Sequence, residues 1–338
     1  MPSQDLRVAV IGAGLMGADH VERIAHRTVR AEVSAVVDID AQRAAAAAEA
    51  AEGAQCFTSV DELLEAQAAD AVVLATPGFL HEEALLTILE AGLPVMCEKP
   101  LTPDAESSMR VIEAEKAAGR QLIQVGFMRR FDAGYRRLKQ IIDSGEYGEL
   151  LMLHHQHRNA STPETFTDEM LIHDSVVHEF DAVRYFSGEE IANVQVRSGK
   201  RSSLSTKLVN DPQHVLVQTT SGLLADVEIF VNAQLGYQVH TQASFEKGVV
   251  KVGEAGGYEF TAEQATGRVI DQTFHTRFVA AYDEEVQQWV DGIHAGRVAG
   301  PSAWDGYAAA AVCAAGVRAQ SAGGIVEVEL ADKPDFYA

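Results

Sequence analysis

Short apolar runs alternate with helix-like spacing along the first third of the chain. Residues 7–11 (RVAVI) run into glycines, and the segment from Leu15 through His20 to Ala25 repeats its apolar positions at helical spacing. Residues 33–37 form a second apolar run ending at Asp38, and the alanine-rich stretch 41–51 has high helix propensity. A third run, 71–75, closes on Thr76-Pro77-Gly78. A helix is predicted over 81–91, then a strand over 94–97, then Glu98-Lys99-Pro100. Strands alternating with helices predict parallel strands joined by right-handed crossovers, a doubly wound Rossmann-type α/β unit. After residues 121–125 the pattern changes. Strand-like stretches follow one another at 150–157, 194–197, 215–219, 224–231, 239–245 and 249–252, interrupted by one helix near 174–186. This predicts an α+β domain with a large, mostly antiparallel open sheet. Helical stretches at 278–295 and 303–321 precede a last strand at 325–330. No repeat or low-complexity linker marks the join, so the expected division is 1–125 and 126–338.

A chain of 338 residues suits two domains, and 47% hydrophobic content is that of a globular protein. A formal net charge of -22 argues against nucleic acid, whose phosphates need clustered Lys and Arg, and against an anionic membrane surface. No apolar stretch is long enough to span a membrane. The first residues run into a strand without the basic and apolar regions of a secretory signal. Cys56, Cys97 and Cys313 are too far apart for a disulfide framework or a CxxC metal pattern. The expected compartment is a reducing cytoplasm.

The motif Gly12-Ala13-Gly14-Leu15-Met16-Gly17 follows a predicted strand and opens a predicted helix, the context a dinucleotide fingerprint requires. Gly12 permits the tight turn, Gly14 the approach of a pyrophosphate, and Gly17 close helix–strand packing. Asp38, at the end of the second strand, stands where an acid bonds the ribose hydroxyls. A carboxylate there repels the 2′-phosphate of NADP. Ile39 is not the arginine that would accept that phosphate, although Arg43 lies one turn into the next helix. The expected cofactor is NAD, with Gly12, Gly14, Leu15, Met16, Asp38, Ile39 and Arg43 as candidate contacts.

Lys99, fixed before a proline at a strand end, offers a cation to a developing oxygen charge. Asp174 and His178 are four apart in a predicted helix, so they share a face. A carboxylate raises the proton affinity of its histidine partner, and histidine is the natural base near neutral pH. Together they satisfy the needs of alcohol oxidation: His178 takes the hydroxyl proton, Lys99 stabilises the oxygen, Asp174 orients His178. Taken singly, Lys99 also reads as a solvated loop lysine and the Asp–His pair as a routine helix pair. The order GAGLMG, Ala75-Thr76-Pro77, Glu98-Lys99-Pro100 and the Asp174…His178 helix resembles the glucose-fructose oxidoreductase/inositol dehydrogenase/MocA family over nearly the whole chain. The resemblance implies that Lys99, Asp174 and His178 form a catalytic triad. It also implies that the cofactor touches the loop after the fourth strand (Ala75, Thr76, Pro77, His81) and the Glu98-Lys99 strand end.

The segment His154-His155-Gln156-His157-Arg158-Asn159 lies on a predicted strand, placing His155, His157 and Asn159 on one face. Clustered histidines admit a metal-dependent hydrolase or isomerase. That reading ranks second, because Lys99 and His178 already supply the electrophile and the base, so no metal is expected; a row of polar groups can instead hydrogen-bond a many-hydroxyl substrate. The stretches LMLHHQHRN, GFMRRFDAGY and FVNAQLGYQV resemble the inositol-oxidising branch of the family. That implies Arg129, His157, Asn159 and Tyr237 around the substrate beside Lys99, Asp174 and His178. The implied reaction is myo-inositol plus NAD to 2-keto-myo-inositol plus NADH, in a homotetramer joined through the open sheets. The alternatives are another inositol isomer, a pyranose sugar, or a non-catalytic NAD-sensing regulator.

Overall fold

Six short apolar strands form a parallel sheet: β1 (Leu6–Ile11), β2 (Ala31–Val37), β3 (Gln55–Phe57), β4 (Ala71–Leu74), β5 (Val95–Glu98) and β6 (Ile123–Gly126), in the order β3-β2-β1-β4-β5-β6. The computed structural model describes residues 5–253 and 259–338; the N-terminal residues read for a signal, 1–4, lie outside them. Every residue of β4, β5 and β6 is buried, as expected where helices cover both faces of a parallel sheet. The strand order reverses between β1 and β4, which both neighbour in the sheet, and this reversal opens a crevice at the carboxyl ends of the strands.

Three elements of this unit lacked a clear pattern in the sequence. β3 is a three-residue edge strand, partly exposed. The helix Val60–Glu65 is capped by Ser59, whose side chain accepts from Glu62 N. The helix Ala105–Ala117 mixes charge into its apolar spacing. It is anchored by Asp104, which caps Ser107 N, and by buried Val111 and Ile112.

The core under this sheet joins Val8, Val10, Val33, Val36 and Val73 to Val21 and Ile24 of the helix Leu15–His26, and also to Val286, Trp289 and Val290. One compact unit accordingly takes in the chain up to Phe127, Tyr282–Ala310 and Asp332–Ala338; the other comprises Met128–Ala281 and Ala311–Ala331. A single cut near residue 125 does not describe this packing. The helix Phe274–His294 carries an apolar stripe at helical spacing, and the stripe alone does not say which sheet it serves. Trp289 is fully buried, and truncating such a side chain costs about 3–5 kcal/mol.

The second unit holds a seven-stranded sheet of β7 (Leu150–Arg158), β8 (Ile191–Ser198), β9 (Gln213–Thr219), β10 (Leu224–Phe230), β11 (Gln238–Phe245), β12 (Gly248–Val252) and β15 (Ile325–Glu327), in the order β12-β11-β7-β10-β9-β8-β15. Its pairs are antiparallel except β7 with β10. The last strand stops short of the expected residue 330. A separate hairpin joins β13 (Glu259–Ala262) and β14 (Ala265–Arg268). Alternation governs β7: Leu153, His155 and His157 are buried, whereas Met152 and His154 are exposed.

The helix expected over 174–186 has two parts, a π-helical turn Leu171–Val176 and an α-helix Val177–Ser187. The wider turn has a packing partner. Ile172 contacts Gly316, where an added Cβ would approach Ile172 Cγ2 to 3.0 Å, and the Cys313 thiol donates to Ile172 O at 3.8 Å. Such turns recur at functional sites. Among the described residues no helix is long and apolar enough to cross a membrane.

Candidate active site

The crevice at the end of β1 and β4 is a cleft of about 700 Å³ lined by Gly12, Gly14, Leu15, Met16, Asp38, Ile39, Arg43, Ala75, Thr76 and Pro77, among others. Each fingerprint glycine has its own steric reason. Gly12 has φ +92°, and a Cβ there would lie 2.7 Å from Ala75 O. A Cβ on Gly17 would lie 1.7 Å from Gly12 O, so the helix packs against the turn only without a side chain. A Cβ on Gly14 would meet nothing within 4 Å, so that face is open. Gly14 also N-caps the helix Leu15–His26, and no side chain caps its first turn, the arrangement that receives a phosphate. Thr76 Oγ1 is buried without a hydrogen-bond partner among the described residues. Open glycine face, uncapped helix start and waiting hydroxyl fit a dinucleotide.

Asp38 does more than the fingerprint suggests. Its Oδ2 accepts from Ala13 N at 2.8 Å and its Oδ1 from Asp40 N at 2.9 Å, so the carboxylate braces the glycine turn that it adjoins. Arg43 stands 3.7 Å from both Asp38 and Asp40 with about half its side chain exposed. Ile39 projects into solvent at the cleft edge.

Lys99 closes β5, half-buried, with a cis peptide to Pro100. Of the expected cofactor contacts, His81, Glu98 and Lys99 are not among the residues that line this cleft. Glu98 Oε1 accepts from His20 Nε2 at 2.8 Å, and its Oε2 accepts from Lys99 N at 3.3 Å. His20 Nδ1 accepts from Arg23 Nη1 at 3.4 Å, so a single tautomer satisfies both sides of the ring. His81 is fully buried, with its ring nitrogens 2.8 Å from Thr76 O and 2.8 Å from Pro100 O. It ties the loop after β4 to the segment after β5, while the cleft wall is formed by Leu80 and, on the helix His81–Glu90, by Glu83, Ala84 and Thr87.

In the second unit Arg129, His157 and Tyr237 come together, and a fourth residue centres them. Glu179 is fully buried; it accepts from Arg129 Nη1, and both its oxygens lie 3.1 Å from His157 Nδ1. Burial opposes a charge on Glu179, but Arg129 and His157 outweigh it and hold the carboxyl down at about 2. The Tyr237 ring meets His157 edge-on at 5.7 Å, and burial pushes its phenol up to about 12. Arg129 Nε and Asn159 Oδ1 are buried with no hydrogen-bond partner among the described residues, which suits a wall awaiting hydroxyls. His178 is buried in the α-helix, and Asp174 sits half-buried in the π-turn before it.

The histidine row divides as strand alternation requires. His154 is exposed and bonds Asp226 at 2.5 Å; His155 is buried and bonds Thr241 Oγ1 at 2.9 Å; His157 bonds Glu179. The three therefore serve different partners on two faces. Among the described residues no group of three or more His, Cys, Asp or Glu is disposed to hold a metal ion.

A profile described as an oxidoreductase family with an NAD-binding Rossmann fold matches residues 6–127, and the GFO/IDH/MocA C-terminal domain matches 135–251. The chain belongs to the GFO/IDH/MocA oxidoreductase family. Within that family it is 59% identical to inositol 2-dehydrogenase 1 of Paenarthrobacter aurescens, over 99% of each chain. It is 50% identical to an inositol 2-dehydrogenase of Corynebacterium glutamicum, over 99% of this chain and 100% of the relative. A crystal structure of myo-inositol dehydrogenase from Lactobacillus casei with NAD(H) and myo-inositol matches with a TM-score of 0.95 at 32% identity, covering 99% of this chain and 100% of that one. The six-stranded Rossmann sheet and the mostly antiparallel second sheet are as the strand and helix pattern predicted.

Two residues that organise this GFO/IDH/MocA protein carried no motif. His20 is one residue of an ordinary helix in the sequence. Glu179 follows His178 and reads as surface charge. A signal for it existed: Arg129 lies between Phe127-Met128 and Phe131, and an arginine among apolar residues requires a buried acid.

Proposed function

We propose that this chain oxidises myo-inositol with NAD, giving 2-keto-myo-inositol and NADH. The observation that carries this is full-length similarity to inositol 2-dehydrogenases, joined to a cleft whose glycines, Asp38 and Thr76 suit a dinucleotide. Bound NAD supplies the hydride acceptor. Gly12, Gly14, Leu15 and Met16 line its diphosphate, Asp38 takes the adenosine ribose, and Ala75, Thr76 and Pro77 form the opposite wall. His178 accepts the proton leaving the hydroxyl, Asp174 supports the imidazolium that results, and Lys99 stabilises the oxygen as the C–H bond breaks. Arg129, His157, Asn159 and Tyr237 bond the remaining hydroxyls. The N-terminal unit is the nucleotide-binding part and the second unit the substrate-binding and assembly part of a cytoplasmic homotetramer. Met152 and Leu224 pair across β7 and β10 as exposed apolar residues of the open sheet, the surface through which copies would join.

The test is NADH formation across a panel of inositols and pyranoses. Turnover is expected with myo-inositol above the rest. Absence of signal with every polyol overturns the proposal. Lys99→Ala is expected to lower kcat about a hundredfold or more while NAD binding persists; unchanged turnover removes the lysine from the mechanism.

A further inference from the structure

The Arg129–Glu179–His157 cluster fixes more than position. Glu179 carries no proton to give, and both its oxygens lie 3.1 Å from His157 Nδ1. An unprotonated Nδ1 would aim its lone pair at two carboxylate oxygens inside a buried site, which is repulsive. The competing contact, Arg129 Nη2 at 3.3 Å from the same nitrogen, is longer, and Arg129 already donates to Glu179 through Nη1. The proton therefore belongs on Nδ1, and the ring keeps its lone pair at Nε2.

We propose that Glu179 is a positioning residue that sets the hydrogen-bond polarity of the polyol wall. By holding the His157 proton on Nδ1, it makes Nε2 an acceptor for a substrate hydroxyl, beside Arg129, which can only donate. The wall then offers a paired acceptor and donor, which suits a neutral polyol whose hydroxyls do both and disfavours a ligand that only accepts, such as a carboxylate or phosphate. This inference rests on the proposed polyol oxidation for its substrate, but not for its tautomer.

Nitrogen NMR of the full-length enzyme labelled at histidine reads the ring directly. The expected result is a His157 ring that carries its proton on Nδ1 and a lone pair on Nε2, assigned by the loss of its signals in His157→Gln. Protonation at Nε2, or at both nitrogens, overturns the proposal, whether or not the enzyme oxidises inositol. In Glu179→Gln an amide N–H can face Nδ1, so the proton is expected to move to Nε2. The KM for myo-inositol is then expected to rise about tenfold to a hundredfold, with NAD affinity unchanged. Glu179→Asp keeps the carboxylate and is expected to keep the Nδ1 tautomer, which preserves the test if the glutamine variant does not fold. A glutamine variant that folds with an unchanged KM overturns the assignment. A wild type inert towards every polyol but carrying the Nδ1 proton would sink the proposed reaction and leave the tautomer standing.

Discussion

Replacing Asp38 with Asn separates its two roles. The carboxylate accepts from Ala13 N at 2.8 Å and from Asp40 N at 2.9 Å, and is 8% exposed. Asn keeps one acceptor but turns an NH₂ towards the other backbone N–H, so one charge-assisted bond becomes a donor facing a donor. Hydrogen bonds to charged groups are worth about 1.5–3 kcal/mol, and part of that loss falls on the glycine turn. We expect a thermal midpoint lower by a few degrees. If Asp38 also takes the ribose, NAD loses a similar bond, and kcat/KM with NAD falls about tenfold to a hundredfold. With NADP the change runs the other way. A carboxylate about 5 Å from a phosphate charge is repelled by about 3 kcal/mol at an effective dielectric of about 20, less in an open cleft, and Asn removes this. The NAD to NADP preference is therefore expected to drop at least about a hundredfold, read as initial rates of reduced cofactor formation. A lower midpoint with an unchanged preference would refute the ribose role and leave Asp38 a brace of the turn alone. No change in either would refute both.

Other expectations follow from single contacts. Gly17→Ala puts a methyl 1.7 Å from Gly12 O and should lower the thermal midpoint and abolish NAD binding, whereas Gly14→Ala meets nothing within 4 Å and should fold normally yet bind NAD more weakly; equal stability of the two would contradict the packing described. His155 is fully buried, and burial lowers its pKa to about 4 from an ordinary 6.5. Below pH 6.5 the unfolded chain takes up a proton that the folded chain refuses until about pH 4, so stability should fall by about 3 kcal/mol on acidification across that window. Denaturant midpoints at stepped pH should show this slope in the wild type and a flatter one in His155→Gln; identical slopes would remove His155 as the cause.

How much was legible depends on how locally each feature is encoded. β1, β4 and β5 announce themselves because residues buried on both sheet faces must be apolar, and Val8 to Ile11, Ala71 to Leu74 and Val95 to Cys97 are unbroken apolar runs. The glycine turn was readable because its sterics are local: one carbonyl excludes one methyl. Pairing partners are not local. The charge on Glu179 says nothing of Arg129, 50 positions away, until the fold brings them together. Trp289 likewise joins a core built almost entirely from the first third of the chain. The π-turn at 171–176 answers to Gly316 and Cys313, so periodicity near Asp174 alone predicts an ordinary helix. His81 and Glu98, expected at the cofactor, have partners that no local pattern announces: His81 bonds Thr76 and Pro100, and Glu98 bonds His20.

In the proposed reaction hydride leaves carbon 2 of myo-inositol for NAD. Turnover of myo-inositol carrying deuterium only at carbon 2 tests it most directly, with the reduced cofactor analysed by mass spectrometry. One deuterium is expected in every NADH formed, and none when the label sits at any other ring carbon. Unlabelled NADH from the carbon-2 substrate would contradict it.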